Sequence, residues 1–249
     1  MICDLSVEGV WKFYVRGRGR VQVLRDVSLR VGAGEVAAVV GGRGQGKTTL
    51  VGVASGTLEV DRGKVWLDGS DLTSLNRREL RDVLATDIGI ATRSGPDARL
   101  SVRDNVQMSL KASRRHGRRG DLRRAVDAVL EQLCLQDAAD AMWDELSDWQ
   151  RVLSELAQAV VRRPRLLLID DLADGHSLDH KRALMDLLEQ FAKDLNCAVL
   201  MAVSDHAAAL RSATVWSLKD ATLELMHKDP TITYLDQRAG DGEDAALAP

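Results

Sequence analysis

The run Gly41-Gly42-Arg43-Gly44-Gln45-Gly46-Lys47-Thr48 places glycines, a lysine and a hydroxyl at the spacing of a loop that wraps a triphosphate. Its glycines let successive backbone N–H groups turn inward, Lys47 has the reach for the β- and γ-phosphates, and the Thr48 hydroxyl suits Mg²⁺. From Thr49 the chain turns apolar (Leu50-Val51), which opens a helix whose positive N-terminal end faces the same anion. Further on, Leu166-Leu167-Leu168-Ile169 runs into Asp170-Asp171, an apolar strand delivering carboxylates at its end. Asp170 is placed there to hold Mg²⁺, through water. Taken singly, these are a glycine-rich turn and a strand ending in two solvated acids; together they point to nucleotide binding.

Both elements need a scaffold that brings strand ends side by side. Val36 to Val40, before the loop, and the short apolar runs Leu166 to Ile169, Ala198 to Val203 and Val215 to Leu218 are separated by helical patterns, as in a parallel sheet covered on both faces. Leu5 to Tyr14, Val21 to Val31 and Gly63 to Asp68 read as strands of an antiparallel layer beside the nucleotide. Between about Pro96 and Pro164 the period becomes helical: Leu122, Ala125, Val126, Val129, Leu130 and Leu133 share one face, and Leu153, Leu156, Ala157 and Val160 another. The fold class is therefore α/β: a P-loop NTPase core with a mostly parallel sheet, an antiparallel β layer and an inserted helical subdomain. One domain is expected over residues 1–237, with core segments 1–95 and 164–225 and the helical subdomain at 96–163. Residues 238–249 lose apolar periodicity and read as a loose tail.

Composition narrows the classes further. The 249 residues are 45% hydrophobic, enough for a packed core without a partner, and no apolar stretch reaches the roughly 20 residues that cross a bilayer. Met1-Ile2-Cys3-Asp4 does not begin a signal peptide, so the chain is expected in the cytosol. Cys3, Cys134 and Cys197 are odd in number, widely spaced and without metal-ligand spacing, which favours reduced thiols with no chemistry. A formal charge of -3 gives no general reason to expect nucleic acid. The basic run Arg114 to Gly120 is read as a solvated loop between helices, with anionic lipid or nucleic acid as its alternatives.

The order of these parts resembles the nucleotide-binding subunits of ATP-binding-cassette transporters, over nearly the whole chain. Trp11-Lys12-Phe13-Tyr14 is similar to the segment whose aromatic stacks on adenine, which implies that role for Tyr14. Leu24 to Leu29 with Gly34-Glu35 leads into the phosphate loop as in that family, and Leu146-Ser147-Asp148-Trp149-Gln150 sits at the place of its Leu-Ser-Gly-Gly-Gln signature. Asp68 to Leu72 and Leu100 to Val106 look most like the branch serving macrolide-export, lipoprotein-release and cell-division permeases. The resemblance implies ATP and Mg²⁺ as ligands, and a second cassette as partner, so that each ATP lies between one phosphate loop and the other subunit's signature. It also implies an integral permease, a place on the inner face of the cell membrane, and coupling through the surface near Arg93 to Val106.

Set against that family, this sequence keeps what binds ATP and alters what hydrolyses it. Asp171 stands for the glutamate that polarises the attacking water, its carboxylate retracted by about 1.5 Å for the missing methylene. Arg93 replaces a glutamine that senses Mg²⁺ and water; its guanidinium either pairs with phosphate or turns to solvent. Ser204 stands for a switch histidine, with His206 two residues on as the alternative. Ser177 takes the position of an aspartate that couples the two sites, unless an insertion makes that Asp179. In the signature, Asp148 brings negative charge towards an anion and Trp149 a large ring towards a place of close approach. Read as local structure, Ser147 to Gln150 is instead a good helix-capping box. The expectation is an ATP-binding subunit with slow or partner-dependent hydrolysis, as homodimer or heterodimer; the alternative is a nucleotide-gated regulatory or scaffold protein.

Overall fold

Val36-Ala37-Ala38-Val39-Val40 is apolar at every position because the strand it forms, β3 (Val36–Val40), has a parallel neighbour on each side and cover on both faces. A computed structural model describes residues 5–17, 19–93, 95, 97–113, 119–204, 209 and 212–229. Around β3 lie β6 (Ile88–Thr92), β7 (Leu166–Asp170), β8 (Ala198–Val203), β9 (Thr214–Lys219) and β10 (Thr222–Lys228), in the order β10-β9-β3-β8-β7-β6. All pairs are parallel except the hairpin of β9 with β10.

The two-residue period of a strand divides the core. Val36, Ala38 and Val40 face one cluster with the helices, whereas Ala37 and Val39 face a second cluster under the antiparallel layer. That layer is β1 (Leu5–Arg16), β2 (Gly19–Val31), β4 (Arg62–Leu67) and β5 (Ser70–Asp71), in the order β2-β1-β4-β5. Buried Leu5, Val7, Val10, Leu24, Val27 and Leu29 line its inner side. Close packing fixes one small residue here: a Cβ on Gly63 would lie 2.5 Å from the carbonyl oxygens of Glu8 and Gly9.

The helices are α1 (Lys47–Ala54), α2 (Arg77–Thr86), α3 (Val102–Ala112), α4 (Arg119–Gln132), α5 (Asp148–Val160) and α6 (Leu178–Leu195). Helix α2 begins with a full capping box, Asn76 accepting from Arg78 and Glu79 N–H while Glu79 accepts from Asn76 N–H. Val106 of α3, Val126 and Leu130 of α4 and Val152 and Leu156 of α5 join one cluster with Ile169 and Met201 of the sheet. The helical segment thus shares its core with the sheet face. A Cβ on Gly89 of β6 would lie 2.4 Å from the Ala159 carbonyl, so α5 packs on the sheet backbone itself.

Among the described residues no helix is long and apolar enough to cross a membrane. Cys134 is exposed and Cys197 buried, both as free thiols, and burial pushes the Cys197 thiol up to about 12. Cys3, His206, the Arg114–Arg118 stretch of the basic run and the 238–249 tail lie outside the described residues.

Candidate functional site

Four neighbouring parallel strands end on one edge of the sheet, and each delivers a different group there: β3 the glycine loop, β8 Ser204, β7 Asp170 and Asp171, and β6 Arg93. Ligands of open parallel sheets sit outside such carboxyl ends. The loop needs its glycines for space as well as for conformation. Gly44 and Gly46 have φ of 78° and 101°, and a Cβ on Gly46 would come 2.8 Å from Val23 Cγ1 and 2.9 Å from the Val23 carbonyl. Gln45 pins the loop from outside, its Oε1 accepting the Asp220 N–H at 3.0 Å.

Gly46 caps α1 without a side-chain acceptor, so first-turn N–H groups of that helix remain directed at whatever anion the loop holds. Lys47 is 5% exposed and donates to the carbonyls of Gly41 at 2.7 Å and Gly42 at 3.2 Å. Its ammonium also lies 3.0 Å from Ser204 Oγ and 3.2 Å from Asp171 Oδ2. The Ser204 hydroxyl in turn donates to Asp171, 2.9 Å from Oδ2 and 3.1 Å from Oδ1. Lys47 from the start of α1 therefore meets the serine after β8 and the aspartate after β7 at one point.

Asp170 differs from its neighbour. Burial, and secondarily the adjacent Asp171, pushes its carboxyl above the usual aspartate range, opposed by a hydrogen bond from the Thr48 side chain and by Lys47. Its Oδ1 is buried with no hydrogen-bond partner among the described residues. An unsatisfied buried carboxylate oxygen beside a threonine hydroxyl is a set of hard oxygen donors suited to Mg²⁺, so Thr48 and Asp170 fit that ion. When bound there, Mg²⁺ supplies charge neutralisation to the phosphates.

The remaining residues surround this centre. Tyr14 is 39% exposed with its hydroxyl 3.3 Å from Thr49 Oγ1, which sets its ring beside α1, and Lys12 Nζ stands 5.9 Å from the ring centroid. Arg93 pairs with an acid: its guanidinium is 3.4 Å from Asp174 Oδ2, which Arg43 also approaches at 3.5 Å. Asp174 thus links the phosphate loop, the end of β6 and the loop after β7, a role that sequence reasoning missed although the charge pattern Arg43, Arg93, Asp174 was open to view. Ser177 is the N-cap of α6, accepting from His180 N–H, while Asp179 sits in its first turn paired with Arg182 at 3.5 Å.

Ser147 to Gln150 starts α5 with a complete capping box: Gln150 N–H donates to Ser147 Oγ at 3.3 Å and Ser147 N–H to Gln150 Oε1 at 2.9 Å. Asp148 points outward to Arg151 at 3.3 Å, and Trp149 folds onto His176 and His180. Neither histidine was singled out in the sequence. Proximity to an aromatic at helix starts is a tertiary fact that spacing does not reveal.

A family model described as ABC transporter matches residues 24–173, which takes in the glycine loop, the signature segment and both aspartates. The chain belongs to the ABC transporter family. Among relatives of this cassette, a methionine import ATP-binding protein of Rhodococcus jostii is 30% identical over 231 residues, 93% of this chain and 68% of that one. Two Cupriavidus proteins of the same description are spanned over only 57% of their length. A lipoprotein-releasing system ATP-binding protein, LolD of Francisella tularensis, is 27% identical with 89% and 96% coverage, in accord with the branch that the sequence resembles.

Solved structures agree on the fold. The dimeric cassette MJ0796, in a post-hydrolysis state bound to ADP and Pi, superposes with a TM-score of 0.84 at 22% identity, covering 92% of this chain and all of that one. The Clostridium perfringens protein cbiO1, part of an ABC transporter complex, gives a TM-score of 0.76 at 25% identity, with 89% and 86% coverage.

Proposed function

We propose that this cassette is the ATP-binding subunit of a transporter complex. It pairs with a second cassette so that Mg-ATP lies at their interface, and it drives or gates an integral permease at the inner membrane face with slow or partner-dependent hydrolysis. The observation that carries this reading is the convergence of Lys47, Thr48, Asp170, Asp171 and Ser204 at adjacent strand ends. Family membership and the dimeric structural neighbour support the pairing.

Slow hydrolysis is supported by the contacts of the altered residues. Asp171 is engaged by Lys47 and Ser204, Arg93 is engaged by Asp174, and the signature segment spends Ser147 and Gln150 on its own helix cap. A misplacement of about 1 Å at a catalytic group can cost on the order of 100-fold in rate. Steady-state phosphate release by the purified protein, alone and with its copurified partners, tests the reading. Release should be slow and sensitive to partners; brisk release by the chain alone, abolished by Lys47→Ala, overturns the slow-hydrolysis part. Failure of Mg-ATP to raise the melting temperature overturns nucleotide binding. Counting cassettes and permeases in the copurified material separates transport from a regulatory or scaffold role, the reading favoured if no permease is present.

A further inference from the structure

Ser204 follows β8, its hydroxyl between the two groups on which the nucleotide site is built. It donates to the Asp171 carboxylate at 2.9 Å and accepts from Lys47 Nζ at 3.0 Å, and Lys47 closes the triangle 3.2 Å from Asp171 Oδ2. The backbone is arranged to keep it so. Asp171 has φ of 47°, and its N–H donates to the Ala202 carbonyl of β8 at 2.9 Å, which ties the residue after β7 to the strand that carries Ser204.

A hydroxyl, a carboxylate positioned to take its proton and an ammonium that binds a γ-phosphate are the groups that phosphoryl transfer to a protein side chain needs. We infer that Ser204 is a phosphoryl acceptor, modified by the nucleoside triphosphate bound in its own site. The inference rests on the proposal above that a triphosphate seats on Lys47.

In the step, Ser204 Oγ bonds to the γ-phosphorus as the bond from that phosphorus to the β–γ bridging oxygen breaks. The nucleoside diphosphate leaves with the electron pair, and the serine proton passes to Asp171. Water must be captured and oriented at this centre by an aspartate that is already engaged, whereas the hydroxyl is held in place by two hydrogen-bond partners, and such positioning is worth orders of magnitude in rate. Asp171 and Ser204 border a small cleft with apolar walls from Leu184, Met201 and Val203. The phosphoserine then stands beside Lys47, where the γ-phosphate of the next nucleotide belongs, and like-charge repulsion makes the transfer self-limiting.

The test is to incubate the purified full-length chain with Mg-ATP labelled on the γ-phosphate, quench in denaturant, and read intact mass and the modified peptide, with melting temperature measured on the same samples. Label is expected at Ser204, saturating at a single phosphoryl group per chain. Ser204→Ala loses it, Ser204→Thr carries it as phosphothreonine at the same position, and Asp171→Asn slows labelling by roughly 100-fold or more. A melting temperature raised by Mg-ATP without covalent phosphate, or with label elsewhere or undiminished in Ser204→Ala, overturns the inference while nucleotide binding stands. Absence of the melting shift overturns the nucleotide site and the inference together, so the two failures are distinct.

Discussion

Trp149 lies flat against His180, their ring centroids 4.5 Å apart and their planes 2° from parallel. His176 meets the indole edge-on at 5.9 Å and His180 at 5.5 Å, so the first turn of α5 is joined to that of α6 through three rings. Burial pulls the His176 imidazole below its usual pKa, reinforced by the neighbouring His180, so the neutral form is favoured where the rings pack. A ring expected to protrude towards a partner is thus drawn in towards its own chain, and the signature segment is anchored by packing as well as by its cap.

Trp149→Ala should therefore lower stability as well as alter the surface. Loss of the ring pair costs about 0.5–1.5 kcal/mol, and the lost apolar burial adds to it. Urea denaturation reads the sum. Replacing Asp148 and Trp149 together by glycine should lower stability further and raise ATP turnover in any dimer that uses this signature; unchanged turnover would show that the surface is idle.

How far the sequence discloses this arrangement depends on which force decides each element. The strands β3, β7 and β8 are legible because burial on both faces demands unbroken apolar runs, and the glycine loop because only glycine tolerates the Val23 contact at position 46. The capping box at Ser147 is local and equally readable. By contrast β10 is mostly exposed, with Leu225 and Met226 uncovered, so no burial pattern announces it; β6 is short and interrupted by Gly89, which is there for α5. In the site, residue types at strand ends were readable, but their pairings were not. That Arg93 meets Asp174, and that Trp149 meets His180, depends on loops whose paths tertiary packing sets.

Asp171→Glu lengthens the side chain by about 1.5 Å and moves its carboxylate off the Ser204 hydroxyl towards the position of an attacking water. Phosphate release should rise by roughly 10- to 100-fold, while phosphorylation of Ser204 falls. Parallel measurement of free phosphate and protein-bound label decides. A variant that loses both has lost the site rather than redirected it.

Lys47→Ala should do more than abolish the Mg-ATP melting shift. The ammonium is almost fully buried against Asp171 and the carbonyls of Gly41 and Gly42, and it also lowers the cost of an ionised Asp170. Its removal leaves two neighbouring carboxylates uncompensated, which should destabilise the nucleotide-free protein by about 1–3 kcal/mol at neutral pH. Denaturation without nucleotide reads that loss. An unchanged midpoint would mean that Lys47 is held there at no net gain.

Glu155 of α5 offers a pH-dependent test away from the nucleotide site. Its carboxyl accepts the Gly95 N–H, its Oε1 is buried with no hydrogen-bond partner among the described residues, and burial pushes it up to about 7. The folded protein keeps the proton up to about pH 7, whereas the unfolded chain releases it near 4.5. Between those values the native state binds more protons, so stability falls as pH rises through the window, and the full penalty stands above it. The penalty is on the order of 2–3 kcal/mol, the partial exposure of the carboxyl favouring the lower figure. Glu155→Gln retains an acceptor for Gly95 and carries no charge, so it should be more stable than wild type at about pH 8 and indistinguishable from it at about pH 4. Asp170 titrates with the same sign in both proteins, so the difference between them isolates Glu155. A gap of equal size at both pH values would assign the effect to packing instead of ionisation.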